Sequence, residues 1–175
     1  MPSASWSQPL YKTDYDSQIQ RTVDRYWPAW PFWRSWKAQL YQESLLDPEA
    51  VSPVGARGLA QFMPGTWQEV AAELGYGNVS PHMAGPAIEA GAYYMAKLRK
   101  IWSSPRPEEA RHKLAQASYN AGAGNIIKAQ RLCDGALLWQ RIRYCLPQVT
   151  GHHSQETITY VRRIERWWRM LEGRR

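Results

Sequence analysis

Several residue types are scarce in this chain, and each scarcity excludes something. Its 175 residues contain two cysteines, Cys133 and Cys145, and four scattered histidines. That is too little for a metal-ligand set and too little for a disulfide-built scaffold. The two cysteines are expected as reduced, partly buried thiols, with a disulfide as the alternative in an oxidising compartment. His152 and His153 are adjacent, so they are expected to point apart as turn residues rather than to ligate. No apolar run is long enough to span a membrane. The first residues, MPSASWSQPLYKTDYD, lack the basic start and the apolar stretch of a secretory leader. The expectation is synthesis in the cytoplasm without a signal peptide. β-branched alternation is also short, enough at most for a minimal hairpin. No basic zipper, zinc-finger spacing or RNA-binding signature occurs, which argues against a nucleic-acid partner.

What the chain does have is aromatic and basic. There are ten Trp, a 44% hydrophobic fraction and a net charge of +7. The length suits one domain with a real core. The charge suits an anionic partner such as a lipid surface or a cell-wall polymer. Helical patterns follow one another: Ser17–Tyr26, Pro31–Leu46, a segment opened by the Thr66-to-Glu69 capping box, then Ala87–Ile101, Pro107–Ala121, Ile126–Leu132, Ala136–Cys145 and a last helix from Ser154. Trp33, Trp36, Leu40 and Glu43 fall on one helical face. Ala90, Gly91 and Ala92 permit close helix approach. On the last helix Ile158, Val161, Ile164, Trp168 and Leu171 share a face, while Arg162, Arg163, Arg166 and Arg169 occupy the rest, followed by Arg174 and Arg175. The fold class expected is all-α, or α with a minimal β-hairpin. Residues 1–30 form an N-terminal extension packing on a domain of residues 31–175.

Three islands carry chemistry. They are Glu43 with the loop that follows it (ESLLDPEAVSPVGARGLAQFMPGT), Ser118-Tyr119-Asn120-Ala121-Gly122, and Glu156-Thr157 at the start of the last helix. Together with the Ala87–Leu98 segment, in this order and at these spacings, they resemble the catalytic domain of the soluble lytic transglycosylases. These enzymes belong to the wider lysozyme-like, goose-lysozyme-related group, and the resemblance implies a single domain of that kind here. The resemblance runs from about Gln39 to about Ile164. It implies that Glu43 is the catalytic acid and that Ser52 contacts substrate. Gln61 and Met63 would line the cleft, although Ala60 stands where that motif usually has Met. Tyr119 would lie near the scissile bond, Asn120 belongs to the same motif, and Glu156 would orient groups or bind sugar. The implied reaction is cleavage of the MurNAc-β-1,4-GlcNAc bond of peptidoglycan with formation of 1,6-anhydro-MurNAc, without metal or cofactor. The partners implied are glycan strands; the basic residues of the last helix themselves suit an anionic outer-membrane or lipid surface, and a monomer is expected.

The residues themselves are compatible with this chemistry. Breaking a glycosidic bond needs a proton on the leaving oxygen, and desolvation on an apolar helix face can keep a Glu protonated, toward ~6 in known sugar-cleaving sites. The expectation is that the Trp and Leu residues around Glu43 do so. Blander readings stand beside each residue. Glu43 could be a solvated surface charge, Ser52-Pro53 and Asp47-Pro48 plain turns, Tyr119-Asn120 a helix end, and Glu156 a complement to the helix dipole. Two rival functions also stay open. One is a water-using goose-type lysozyme with Asp47, Glu49 or Glu156 as second carboxylate. The other is a non-catalytic cationic protein that binds wall or membrane. Charge and the missing leader together suggest a phage lysis protein acting in the periplasm after assisted release.

Overall fold

The computed structural model describes residues 9–173; the first eight residues, Arg174 and Arg175 lie outside the described part. The elements are α1 (Asp16–Tyr26), α2 (Trp33–Ser44), α3 (Pro64–Glu73), α4 (Ala84–Ile101), α5 (Glu108–Ala121), α6 (Ala123–Leu132), α7 (Trp139–Ile142), α8 (Pro147–Thr150) and α9 (Ser154–Glu172), with short 3-10 turns at Pro9–Tyr11 and Gly151–His153. Among the described residues the only β pairing is two isolated bridges, Val51 with Arg57 and Arg57 with Phe62. No helix there is long and apolar enough to cross a membrane. The chain divides into two compact units. One holds residues up to Ala92 together with the stretch from Ile164; the other is Tyr93–Arg163.

In the first unit, α1 buries Ile19, Thr22 and Val23 at helical spacing and stops before Pro28. It packs on α2, whose residues from Ser35 to Tyr41 are buried on every side. Such burial includes Lys37, whose ammonium donates to Asp16 Oδ1 and to the Lys12 carbonyl, both at 2.6 Å. A buried ammonium is tolerable only with such partners. Residues 9–30 are thus part of this unit's packing. Trp27 is buried, and its indole N–H donates to the Ala92 carbonyl at 2.9 Å. A Cβ at Gly91 would lie 2.5 Å from the Trp36 ring, so α4 reaches the α2 indole only because position 91 has no side chain. Glu89 of α4 accepts hydrogen bonds from Tyr26 (2.8 Å), Tyr76 (2.7 Å) and Arg25 (3.0 Å). Burial pushes Glu89 up, but these three donors prevail and its carboxyl sits below the usual range.

The Thr66 capping box does not form. Pro64 takes the first helical position with Met63 as its extended cap, so Thr66 is already inside α3. Proline's fixed φ starts the helix three residues earlier than the side-chain pattern suggested.

In the second unit α5 packs against α6 and α7, and α6 against α8. Ile126, Ile142 and Leu146 fill the core with Leu114 and Ala117. Arg99 and His112 are buried together. Arg99 Nη1 donates to His112 Nδ1 at 3.1 Å and Nη2 to Glu108 at 2.5 Å. Burial, with the adjacent guanidinium adding to it, holds His112 well below the ordinary imidazole value.

Three expectations are corrected here. Residues 136–145 do not form one helix. Asp134 and Gly135 take left-handed φ values of 54° and 71°, Leu138 is extended, and only Trp139–Ile142 is helical before Pro147 opens α8. Cys133 and Cys145 are joined in a disulfide rather than being free thiols, with Cα atoms 5.8 Å apart. His152 and His153 sit in a 3-10 turn with ring centroids 4.1 Å apart, because the tight turn lets neighbouring rings face each other.

On α9, Val161, Ile164 and Leu171 are buried, Ile158 and Trp168 half-buried, and Arg162, Arg163, Arg166 and Arg169 exposed. Arg169 pairs with Glu165 at 2.6 Å and Arg166 lies over the Trp167 ring.

Candidate active site

Glu43 is the penultimate residue of α2 and is half-buried. The helix ends abruptly just beyond it. Leu45 and Leu46 both take left-handed conformations, φ 57° and 59°. For a residue with a branched side chain this costs about 1–2 kcal/mol each, and strain of this kind concentrates at functional sites. Ser44 secures the turn. Its buried hydroxyl lies 3.1 Å from the Leu40 carbonyl and 2.9 Å from the Leu59 carbonyl, within donating distance of each, so the helix end is stitched to the loop.

That loop is held by its own side chains. Ser52 Oγ accepts the Ala56 N–H at 3.0 Å, closing a turn that also pairs Ser52 N–H with the Ala56 carbonyl. Gln61, itself left-handed at φ 50°, uses its side-chain N–H groups on the Ala50 and Gly58 carbonyls (3.2 and 2.9 Å). Gly58 is a second point of closure, since a Cβ there would lie within 1.9 Å of the Pro81 carbonyl oxygen. Met63 is exposed at the head of α3. The first unit therefore holds Glu43, Ser52, Gln61 and Met63, and Ser44 links the helix end of the first to the loop of the others. Asp47 and Glu49, the nearby rival carboxylates, are exposed, and Asp47 Oδ1 accepts the Glu49 N–H at 2.9 Å as a turn would require.

The second unit holds Tyr119, Asn120 and Glu156. Tyr119 is half-buried near the end of α5, its ring 5.4 Å from that of Tyr94. Asn120 is clamped from two sides. The buried Thr157 hydroxyl donates to its Oδ1 at 2.7 Å, and its Nδ2 donates to Glu156 Oε1 at 3.3 Å. Gly122, at φ 83°, ends α5 directly after this pair and lets α6 begin at once.

A family model described as the transglycosylase SLT domain matches residues 35–137 of this sequence. The chain belongs to that family. The matched segment contains Glu43, Ser52, Gln61, Met63, Tyr119 and Asn120, while Glu156 falls beyond it. Among curated proteins, the membrane-bound lytic murein transglycosylase F of Alcanivorax borkumensis is 30% identical over 149 residues, covering 77% of this chain and 31% of that protein. The protein of the same name from Desulfosudis oleivorans is 28% identical over 172 residues, 90% of this chain and 36% of that one. The chain thus spans about a third of the length of these relatives. The structure of an inactive mutant of the lytic transglycosylase Slt from Pseudomonas aeruginosa superposes with a TM-score of 0.69 at 24% identity, covering 90% of this chain and 24% of that one. That likeness shows the same helical, lysozyme-like fold.

Two residues of this SLT domain hold the candidate residues in place more than the sequence indicated. Ser44 sits beside Glu43 in the first motif, and nothing in its spacing marks its bond to the Leu59 carbonyl. Thr157 lies one residue after Glu156, so only its partner across the fold distinguishes it from an ordinary helix-start threonine.

Proposed function

We propose that this SLT domain is a peptidoglycan lytic transglycosylase in which Glu43 is both acid and base. The observation that supports it most is the position of Glu43, inside the matched segment and at a helix end fixed by Ser44 and followed by two left-handed leucines. In this reading Glu43 gives its proton to the oxygen leaving C1 of MurNAc. The C6 hydroxyl of the same sugar then attacks C1, and the Glu43 carboxylate takes up the hydroxyl proton. The product is 1,6-anhydro-MurNAc and no water is consumed. An intramolecular nucleophile has a large proximity advantage and removes the need for a second carboxylate. Asp47 engaged in a turn and Glu156 accepting from Asn120 agree with a one-carboxylate site better than with a water-using lysozyme. Ser52, Gln61, Met63, Tyr119, Asn120 and Glu156 are the substrate-binding residues of the proposal.

The substrate is the glycan strand of the cell wall. The role we assign is bacterial lysis, as in a phage endolysin acting from the periplasm, with the exposed arginine row of α9 meeting an anionic envelope surface. The net charge of +7 and that exposed row support this part.

Digestion of purified peptidoglycan, with the muramic-acid termini identified by mass spectrometry and Glu43→Gln run in parallel, tests the proposal. Anhydro termini that vanish in the variant are expected. Reducing termini would instead establish a water-using lysozyme, and unaltered lysis by Glu43→Gln would leave a non-catalytic binder.

A further inference from the structure

One open cavity of about 460 Å³ lies in the second unit, between α6 and α8, lined by Asn125, Lys128, Arg131, Leu132, Gln148 and Val149. Its chemistry is one-sided. Across residues 123–150 the charged groups are Lys128, Arg131, Arg141 and Arg143 against Asp134 alone. Neither Lys128 nor Arg131 forms an ion pair or a side-chain hydrogen bond with any described residue, and the Gln148 carboxamide is likewise unengaged. Two cations with no internal partner, placed in a concavity, will attract an anion. The apolar lining, Leu132 and Val149, suits small aliphatic groups.

The walls are braced. Cys133 follows directly on α6 and Cys145 precedes α8 by two residues, so the disulfide ties together the two elements that form the cavity. Bracing lowers the ordering cost of binding. One lining residue is tied to the helix that carries Tyr119 and Asn120: Asn125 Nδ2 donates to the carbonyl of Ala121, the last residue of α5, at 2.8 Å.

We propose that this cavity is a subsite for the free carboxylate of a short peptide, as carried by the sugar strands of peptidoglycan. Arg131 and Lys128 hold the carboxylate, the Gln148 and Asn125 carboxamides meet the peptide bonds, and Leu132 and Val149 take its methyl groups. A guanidinium pairs with a carboxylate through two parallel hydrogen bonds, which gives direction as well as charge. The subsite rests on the peptidoglycan reading above, and it adds to it a reason for the domain to favour peptide-bearing strands.

Calorimetric titration of the full chain with N-acetyl-lysyl-D-alanyl-D-alanine, and with the same peptide as its C-terminal amide, tests this. The free acid is expected to bind at least tenfold more tightly than the amide. The Lys128→Gln, Arg131→Gln double variant, with a wild-type circular dichroism spectrum, is expected to lose that preference. Equal binding of acid and amide, or a double variant that binds like the wild type, overturns the proposal. So does loss of binding to phosphatidylglycerol vesicles in the double variant with peptide binding unchanged, which would make the patch a membrane contact. Peptide binding needs no turnover, so the two readings fail separately. Anhydro products without peptide binding sink the subsite alone, whereas peptide binding without wall cleavage keeps the subsite and sinks the enzymatic role.

Discussion

The Thr157 hydroxyl donates to Asn120 Oδ1 at 2.7 Å, and the other end of the same carboxamide donates to Glu156 Oε1 at 3.3 Å. The second bond fixes which way the amide faces: a flipped Asn120 would set its Oδ1 against the acceptor-only Glu156 carboxylate, whereas the Thr157 hydroxyl can turn to accept as well as donate. The amide N–H groups are thereby turned toward Glu156 and solvent, where a sugar hydroxyl could accept them.

Thr157→Val keeps the shape of this residue and removes the donor. A lost hydrogen bond of this kind costs about 1 kcal/mol of stability. If Thr157 positions Asn120 for substrate, kcat/KM on purified peptidoglycan drops several-fold as well, and Thr157→Ser restores most of it. A variant that melts earlier yet turns over normally would assign Thr157 to the scaffold alone.

Gly91→Ala should be costly. Its Cβ would meet the Trp36 ring at 2.5 Å and the Ala60 Cβ at 3.2 Å, and both neighbours are buried. Overpacking of this kind typically costs about 1–3 kcal/mol. Gly65→Ala is the control: it lies in α3 with nothing within 4 Å, and should be neutral or slightly stabilising. Urea midpoints of the two variants against wild type measure the contrast. Equal midpoints would mean that α2 and α4 can separate freely at this crossing.

The stability should fall at both ends of the pH scale, for different reasons. His112 is buried beside Arg99, with Glu108 and Arg111 completing the cluster, and its pKa is held well below the ordinary value. The unfolded chain therefore binds the extra proton first. Its contribution is present above about pH 6.5 and is lost as the pH falls below that value. At the alkaline end, burial and the hydrogen bond to Glu89 raise Tyr26 to about 12. That contribution is complete below about pH 10 and disappears as the pH rises through about 12. Urea midpoints at pH 7.5 and 5.0 should drop less for His112→Asn than for wild type. Parallel drops would show that His112 does not carry the acid limb.

Much of this was legible from the sequence where the signal is local and repetitive. Val161, Ile164 and Leu171 announce their buried face by spacing alone, and the Ala-Gly-Ala stretch at 90–92 announces a close crossing. Glu43 stood out because a family pattern surrounds it. Other features were hidden because they depend on partners far along the chain. Thr157 and Asn120 are 37 residues apart, and no periodicity connects them. The Thr66 capping box failed because a local pattern competed with Pro64, whose ring starts the helix earlier. The break after Leu132 was legible, but the late start of the next helix at Trp139 was not, because extended Leu138 sits within a stretch of good helix formers.

The disulfide is the feature the sequence left most open, and it makes the last prediction. Cys133 and Cys145 close a loop twelve residues long that contains the short α7. Closing a loop of about this length removes unfolded-state entropy worth about 2–3 kcal/mol. The Cys133→Ser, Cys145→Ser double variant should therefore unfold at a lower urea midpoint than the oxidised wild type. Wild type treated with dithiothreitol should match the variant, and reductant should not shift the variant further. Because the same bond ties the end of α6 to the approach of α8, losing it should also loosen the cationic cavity. Affinity for N-acetyl-lysyl-D-alanyl-D-alanine would then fall in the double variant under conditions where it is still folded. If the midpoint drops but the affinity does not, the bond stabilises the second unit without shaping the cavity. If neither changes, the loop is already held by Trp139 and Ile142 in the core, and the cross-link adds nothing to it.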